Sequence, residues 1–352
     1  MAINSEAISS QAVTAGAAET EQPPPAAKPS WKSTAITWLR RVLILAVVGG
    51  ALYYVITRWN EVWATLSTVP WWSAVLSLLA VVAGVVVGAF SWRVVVNDLG
   101  SPVTRTRGAQ IYLVSQLGKY IPGSVWAYVL QMELGKKVGI PRARMFVSSL
   151  VQVGVSVVAM LTLGMIALPK MLDQNPRAVW LYAALPISLI ALHPKVMTWG
   201  VNLVLRVLRK QPLDHQLRWA TIGKTLGLSV LSYVLFGAHL WALATASGTP
   251  DLGVLLLCVG TVAIGLVAGL LFFVVPSGAG ARDVLVALAL APTVGITAAA
   301  AFAVASRVMF TLAELGSAGV AALLASRHVK DLVAQPAATP ENTAPEKSED
   351  PA

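Results

Sequence analysis

The stretch Gln116-Leu-Gly-Lys-Tyr-Ile-Pro-Gly-Ser-Val-Trp126 separates two apolar segments with a proline and a glycine, and Lys119 stands three residues before the proline. A second stretch of the same kind, Phe273-Val-Val-Pro-Ser-Gly-Ala-Gly-Ala-Arg-Asp283, follows later in the chain. Proline removes a backbone donor, and glycine permits φ values that other residues avoid. Each stretch therefore predicts a helix, a turn and a second helix, over about 108–135 and about 252–292.

The flanks of the two stretches match at a constant spacing of 156 residues (294 minus 138). Val138-Gly-Ile140 follows the first stretch, and Val294-Gly-Ile296 follows the second. An alanine and a phenylalanine then recur at equal offsets: Ala143 and Phe146 in the first copy, Ala299 and Phe302 in the second. This self-similarity predicts an internal duplication, with repeat one over about 40–168 and repeat two over about 178–325.

The composition indicates an integral membrane protein. Of 352 residues, 56% are hydrophobic and 12% are charged, whereas soluble proteins carry about 25% charged residues. Six apolar runs approach or exceed the length that crosses a bilayer. These predicted spans cover about 42–56, 71–92, 145–168, 178–197, 225–246 and 297–325.

The formal net charge of +10 does not indicate a nucleic-acid partner, because much of the Lys and Arg lies just beyond the hydrophobic runs. The single cysteine, Cys258, excludes an intramolecular disulfide and a cysteine-based metal site. His193 and His239 do not share helical spacing, and we interpret them as packed polar residues. We expect no metal and no cofactor.

The distribution of basic residues predicts the topology, because cytoplasmic loops are enriched in Lys and Arg. Both termini and the loops at 93–107, 136–144 and 198–224 are basic, which places them in the cytoplasm. The first hairpin then enters from the cytoplasm and the second from outside. The predicted fold is an all-α polytopic membrane protein, with about six full spans and two re-entrant helical hairpins in inverted repeats.

The residues outside the membrane domain, which we place at 36–330, form two polar tails. Residues 1–35 are rich in Ala, Pro, Ser and Glu, and residues 331–352 are rich in Pro, Thr and Glu. Such compositions are typical of disorder. We expect both tails to be disordered and cytoplasmic.

The two breaks predict an anion site, because the helices that follow them present free N–H groups at their N-termini. Lys119 and Arg282 add full charges, and an ion at bilayer depth is costly unless it serves a function. The alternatives are that the breaks are only tight turns, and that Arg282 and Asp283 are a self-neutralising helix cap. The candidate substrate-binding residues are Lys119, Pro122, Gly123, Ser124, Trp126, Ser277, Gly278, Gly280, Arg282, Asp283 and Arg307.

The carboxylates Glu133 and Glu314 are candidates for an ion-coupling or a structural role, and so is Asp283. Arg307 and Glu314 lie seven residues apart and therefore share one face of the last predicted span. Pairing with Asp283 or Glu133 is the structural alternative for these two residues. The chain has no nucleotide-binding P-loop, no G-x-S-x-G and no H-E-x-x-H, so we expect neither ATP hydrolysis nor those hydrolase chemistries.

The two stretches, with Ser91-Trp-Arg93, Gly135, Gly139 and Pro141 around the first and Ser306-Arg307 after the second, resemble the membrane domain of the lysylphosphatidylglycerol synthase family. The resemblance covers roughly residues 40–325. It implies a flippase-like protein that moves a lipid with a charged or glycosylated head between leaflets. Two-domain members carry a soluble aminoacyl transferase domain after this part. Because this sequence ends at Ala352 without one, we expect no synthesis of lysyl lipids.

One position departs from the family pattern, since the acidic residue after the arginine of the second block is more often Glu and here is Asp283. The favoured function is a lipid translocase in the cell membrane, with a phospholipid or a polyprenyl-phosphate-linked glycan as its partner. The alternatives are an integral membrane transferase acting on a lipid-linked sugar, and an accessory subunit that partners membrane glycosyltransferases.

Overall fold

The computed structural model describes residues 56–57, 59–121, 125–172, 186, 190, 192–207, 217–245, 251–271 and 280–334. Every regular element in these ranges is a helix, and no strand occurs in them. The α-helices are α1 (Trp59–Ser67), α2 (Trp71–Asp98), α3 (Arg105–Gln116), α4 (Trp126–Lys137), α5 (Arg142–Leu172), α6 (Pro194–Val207), α7 (Trp219–Ala244), α8 (Leu252–Leu271), α9 (Ala281–Val294) and α10 (Ile296–Ala334). A 3₁₀ turn, Leu117–Tyr120, follows α3. The all-α prediction is confirmed.

Five of the described helices are long and apolar enough to cross a membrane. Their candidate spans are Trp71–Asp98, Arg142–Ile166, Trp219–Ala244, Leu252–Leu270 and Ile296–Leu324. Each exceeds the roughly 18 residues that a bilayer core requires. The chain is therefore a multi-pass membrane protein, as its composition predicts.

The number of spans differs from the prediction in one described region. The first arm of the second predicted hairpin, α8, is itself a candidate span. Its 20 residues rise about 30 Å at 1.5 Å per residue, which matches the hydrocarbon thickness. The predicted span at 42–56 lies outside the described residues except for Ile56, and the predicted span at 178–197 is described only at 186, 190 and 192–197.

Helices also occur where the sequence predicted links. The helix α1 lies between the predicted spans at 42–56 and 71–92, and its Trp59 and Trp63 stack at 6.0 Å, one helical turn apart. The helix α6 occupies the start of the predicted 198–224 loop and buries Met197, Val201 and Leu205 along one face. The last helix, α10, continues to Ala334, beyond the predicted start of the C-terminal tail.

The arms of both predicted hairpins pack against each other, α3 against α4 and α8 against α9. In the first hairpin a Cβ at Gly118 would lie 2.5 Å from the backbone nitrogen of Ala127, so only glycine permits this approach of the turn to α4. The break residues themselves, 122–124 and 272–279, lie outside the described residues.

The order and packing of the helices match between the two predicted repeats. In chain order, the series α2, α3, α4, α5 of the first repeat corresponds to the series α7, α8, α9, α10 of the second repeat. The contact between α3 and α10 corresponds to the contact between α8 and α5. In the same way, the contact between α2 and α10 corresponds to the contact between α7 and α5. Gly139 and Gly295, which are 156 residues apart, have φ of 83° and 81°.

The contact between α2 and α7 joins the two series. Small and hydroxyl residues allow the two backbones to approach, as is usual between membrane helices. The Ser232 hydroxyl donates to the Gly84 carbonyl at 2.8 Å, and Ser91 donates to the Thr225 carbonyl at 3.1 Å. This contact forms one side of the cavity described next.

Candidate functional site

A cavity of about 290 Å³ lies among the helices of both series, which is near the lower end of the range for small-molecule sites. Eight helices and the 3₁₀ turn contribute to its lining. The polar lining residues are Tyr112, Gln116, Lys119, Tyr128, Gln131, Ser149, Gln152, Ser156, Ser229, Ser232, Tyr233, Arg282 and Glu314. Polar groups inside an apolar bundle are costly, so their convergence indicates a functional site.

One side of the cavity carries an ion pair between the two series. Lys119 Nζ, on the 3₁₀ turn, lies 2.5 Å from Glu314 Oε1, on α10. The Tyr120 hydroxyl donates to the other carboxylate oxygen at 2.7 Å. Both oxygens of Glu314 are therefore engaged by residues of the first hairpin.

The second cation of the cavity is Arg282, in the first turn of α9, and its side chain is buried, with the residue 5% exposed. One terminal nitrogen donates to the Ser306 hydroxyl at 3.2 Å, and the guanidinium carbon lies 3.9 Å from the centroid of the Phe310 ring. This cation–π contact offsets part of the desolvation cost. The Nε of Arg282 is buried without a hydrogen-bond partner among the described residues.

A buried chain of hydrogen bonds continues from Arg282 to α2. His239 Nε2 lies 2.8 Å from Ser306 Oγ, and His239 Nδ1 lies 2.6 Å from Ser77 Oγ. The imidazole ring also contacts Phe310 edge-on, at 5.4 Å between centroids. Both groups that hold the guanidinium, Ser306 and Phe310, are therefore in contact with His239.

An uncharged part of the lining lies on α4 and α5. Gln131 is 3% exposed, and its Oε1 accepts a hydrogen bond from the Ser149 hydroxyl at 2.7 Å. Its Nε2 is buried with no partner in the described part of the chain. Gln152, on the same face of α5 as Ser149, donates to the Gly88 carbonyl at 3.3 Å.

The comparison with known families is decisive for the identity of the membrane domain. Residues 41–315 match the family model described as the lysylphosphatidylglycerol synthase TM region. The chain belongs to this family. No curated protein matches the chain. Membership confirms the resemblance seen in the sequence and indicates a function connected with membrane lipids.

Both sequence blocks that carry the family resemblance reach the cavity. Lys119 comes from the first block, and Arg282 comes from the second. Ser306, which follows the second block, accepts the hydrogen bond of Arg282. The fold thus brings two motifs that are far apart in the sequence to one site.

Two other candidates from the second block have different positions. Asp283 Oδ2 accepts a hydrogen bond from the backbone N–H of Gly280 at 3.1 Å, so this carboxylate caps its own helix. Gly280 has a φ of 88°, a backbone conformation that residues other than glycine rarely adopt. The capping interpretation of Asp283 agrees with this geometry, and Arg282 points to Ser306.

Trp126 and Glu133, both on α4, lie away from the cavity lining. Trp126 is 47% exposed, and its neighbours Ala127 and Tyr128 line the cavity in its place. Glu133 accepts two hydrogen bonds from Arg142, at 2.6 and 2.8 Å, on an exposed surface. The hydrogen bond from Arg142 lowers the pKa of Glu133 below its usual value. The proposed pairing of Glu133 with Arg307 or Glu314 is therefore replaced by a pair with Arg142.

Arg307 is half-buried on α10 and interacts electrostatically with Tyr120 and Arg282. Glu314, which was predicted to share a face of this helix with Arg307, pairs with Lys119. The remaining candidates, Pro122, Gly123, Ser124, Ser277 and Gly278, lie outside the described residues.

Sequence reasoning missed the uncharged lining, whereas its interpretation of His239 as a packed polar residue agrees with the buried, hydrogen-bonded imidazole. The missed signal is a polar stripe at helical spacing within an apolar span. Ser149, Gln152 and Ser156 follow the i, i+3, i+7 pattern on α5, and such a stripe must face protein or a cavity because lipid cannot satisfy it.

Proposed function

We propose that this protein is a lipid translocase that binds an anionic headgroup in the central cavity and moves it between leaflets. The observation that carries the proposal is Arg282, a buried cation whose Nε has no hydrogen-bond partner among the residues that the structure describes and whose terminal nitrogen donates to the neutral Ser306 hydroxyl. A phosphodiester supplies the missing acceptor, because guanidinium donors match phosphate oxygens. The acyl or polyprenyl chains remain in the bilayer.

The ion pair between Lys119 and Glu314 supports an anion-binding site in which a carboxylate of the protein itself takes the place of the ligand. Glu314 pairs with the ammonium group of Lys119, which an anionic headgroup would otherwise contact. Binding of the headgroup therefore competes with a contact between the two series of helices. This competition links occupancy of the site to the packing of the 3₁₀ turn against α10.

The matched packing of the two series supports alternating exposure by the movement of inverted repeats. In such transporters a site between the repeats opens to either side when one repeat rocks against the other. The counterpart contacts described above, and the equal φ at Gly139 and Gly295, are what two related repeats produce. With the basic loops, this arrangement supports our proposal that the protein lies in the cell membrane, with both termini in the cytoplasm and the hairpins re-entrant from opposite sides.

A transferase needs a base or nucleophile that can reach its substrate. Glu314 is the one carboxylate among the described lining residues, and both of its oxygens are engaged by Lys119 and Tyr120. The geometry therefore favours binding and translocation over chemistry on a lipid-linked sugar. An accessory subunit would likewise not need the buried charges of this cavity.

The test is transport of a fluorescent anionic phospholipid in liposomes that contain the purified protein. Loss of a charge-assisted hydrogen bond costs about 1.5–3 kcal/mol, so Arg282→Gln is expected to slow transport by roughly 10- to 100-fold. Arg142→Gln, which breaks a surface pair, is the matched control and keeps the wild-type rate. Equal rates in all three proteins would refute the site. Labelled product formed from a sugar donor would favour the transferase.

A further inference from the structure

The cavity has two chemically different walls. Lys119, Arg282 and Glu314 lie on the 3₁₀ turn, α9 and α10, whereas α4 and α5 contribute Gln131, Ser149, Gln152 and Ser156. The proposed phosphodiester site uses only the charged wall. The uncharged wall must therefore be explained by another part of the ligand.

The amide of Gln131 has a hydrogen-bond partner at one end and none among the described residues at the other. Ser149 engages Oε1 at 2.7 Å, and Nε2 is buried without a partner in the described residues. The Ser149 hydroxyl also lies 2.9 Å from the Met145 carbonyl, and it has one hydrogen to give. If that hydrogen goes to Met145, the amide turns over and presents its oxygen to the cavity instead.

A hydroxyl group satisfies either orientation, because it both donates and accepts. A buried amide without a partner is unfavourable, so a ligand that supplies the partner gains affinity. A methyl or other apolar substituent supplies none. The unpartnered end of Gln131 would therefore distinguish hydroxylated headgroups from apolar ones of the same charge.

The charges of the cavity act against a cationic substituent. Two of the described lining residues are cations, Lys119 and Arg282, and the one carboxylate, Glu314, is already paired. An ammonium or aminoacyl group would have no anionic partner here and would be repelled by Arg282.

We infer that the headgroup is a phosphodiester whose substituent is uncharged and hydroxyl-bearing, a glycerol or a sugar-like ring, and that Gln131 recognises its hydroxyl groups while Ser149 holds the amide. This specificity rests on the proposed function, because the charged wall must first bind the phosphodiester. Headgroups that carry an ammonium group bind weakly.

The test measures binding of short-chain lipids to the purified protein by calorimetry, in a polyoxyethylene detergent that carries no sugar. The probes are the dihexanoyl forms of phosphatidylglycerol, phosphatidylinositol, phosphatidylmethanol and phosphatidylethanolamine. The first three share one negative charge and differ in hydroxyl content. The wild type is expected to bind the better hydroxylated probe about 5- to 10-fold more tightly than phosphatidylmethanol, the effect of one or two neutral hydrogen bonds. The stronger of the glycerol and inositol probes identifies the substituent.

Gln131→Leu is expected to remove this preference and to keep the affinity for phosphatidylmethanol, because the charged wall is intact. Gln131→Glu adds a carboxylate and should raise the relative affinity for phosphatidylethanolamine. Wild-type protein that binds phosphatidylmethanol as tightly as both hydroxylated probes, or phosphatidylethanolamine as tightly as any, overturns the inference and leaves the proposed function standing. Failure of the wild type to bind any anionic probe overturns the proposed function itself.

Discussion

Glu314 has two opposing effects on the site. Its pair with Lys119 stabilises the contact between the 3₁₀ turn and α10, because both charges are at least three-quarters shielded from solvent. The same pair withholds Lys119 from an anionic ligand. Glu314 should therefore raise the stability of the protein and lower its affinity for the headgroup.

We therefore predict that Glu314→Gln binds an anionic short-chain lipid more tightly than the wild type, by a few-fold, while the protein loses about 1–3 kcal/mol of stability. Glutamine retains an acceptor for the Tyr120 hydroxyl but no longer neutralises Lys119. Calorimetry and thermal unfolding in detergent measure the two effects.

The double variant Lys119→Gln, Glu314→Gln is the control for this pair. It removes both charges and should lose the gain in affinity. Weaker binding in Glu314→Gln than in the wild type would show that the carboxylate contributes to the site directly.

His239 is a positioning residue for Arg282 in this arrangement. Arginine can only donate, so the Ser306 oxygen accepts from it, and the Ser306 hydrogen is then available to His239 Nε2. The neutral imidazole with its hydrogen on Nδ1 completes the chain to Ser77. Loss of the Nε2 contact should release Ser306 and with it the guanidinium.

Two substitutions at His239 separate these contacts. Gln places its amide near the Nε2 position and retains Ser306, whereas Asn places its amide near the Nδ1 position and retains Ser77. We expect His239→Gln to keep headgroup affinity within about threefold of the wild type, and His239→Asn to lose roughly tenfold, the effect of about 1.4 kcal/mol. Equal affinities, with equal melting temperatures, would assign His239 a packing role alone.

At the scale of the helix, α7 depends on a close approach to α8. A Cβ at Gly237 would lie 2.4 Å from the backbone Cα of Val259, so an alanine would force the two helices apart. At Gly227, on the same helix, a Cβ meets nothing within 4 Å.

Gly237→Ala is therefore expected to lose about 1–3 kcal/mol through overpacking. Gly227→Ala is expected to be neutral or to gain up to about 1 kcal/mol from helix propensity. Thermal unfolding of the two purified variants compares the same substitution at a packed and an open position. Similar melting temperatures would show that α7 and α8 do not approach as described.

The helices that sequence predicted well are those with long apolar runs. The runs at 71–92, 145–168, 225–246 and 297–325 all fall within α2, α5, α7 and α10 or extend one of them by two residues at most. The shorter α6 was missed because its basic residues indicated a loop. Its apolar positions, Met197, Val201 and Leu205, nevertheless recur every four residues.

The site was predictable only where one motif contained the signal. Lys119 and Arg282 stand out as ions beside a break in an apolar segment, and both line the cavity. Gln131 and His239 do not stand out, because their hydrogen-bond partners lie on other helices. Their partners depend on packing, which the local pattern does not encode.

At the scale of the whole molecule, inversion of the repeats has a consequence that can be measured from either side of the membrane. The junction of α4 with α5 and the junction of α9 with α10 are equivalent in sequence and backbone, with Gly139 and Gly295 at the turns. If the repeats are inverted, these equivalent junctions face opposite compartments. The basic residues place the first junction in the cytoplasm.

Single cysteines at Lys137→Cys and Thr293→Cys, both at exposed positions, test this in a protein whose buried Cys258 is replaced by alanine. We expect a membrane-impermeant maleimide to label Thr293→Cys in intact cells and Lys137→Cys only after the membrane is opened, because no ionic reagent crosses the hydrocarbon core. Thr106→Cys, at an exposed position in the basic segment that begins α3, should behave like Lys137→Cys. Labelling of Lys137→Cys and Thr293→Cys from the same side would show that the repeats are parallel, and the alternating-exposure mechanism would then need a different axis of movement.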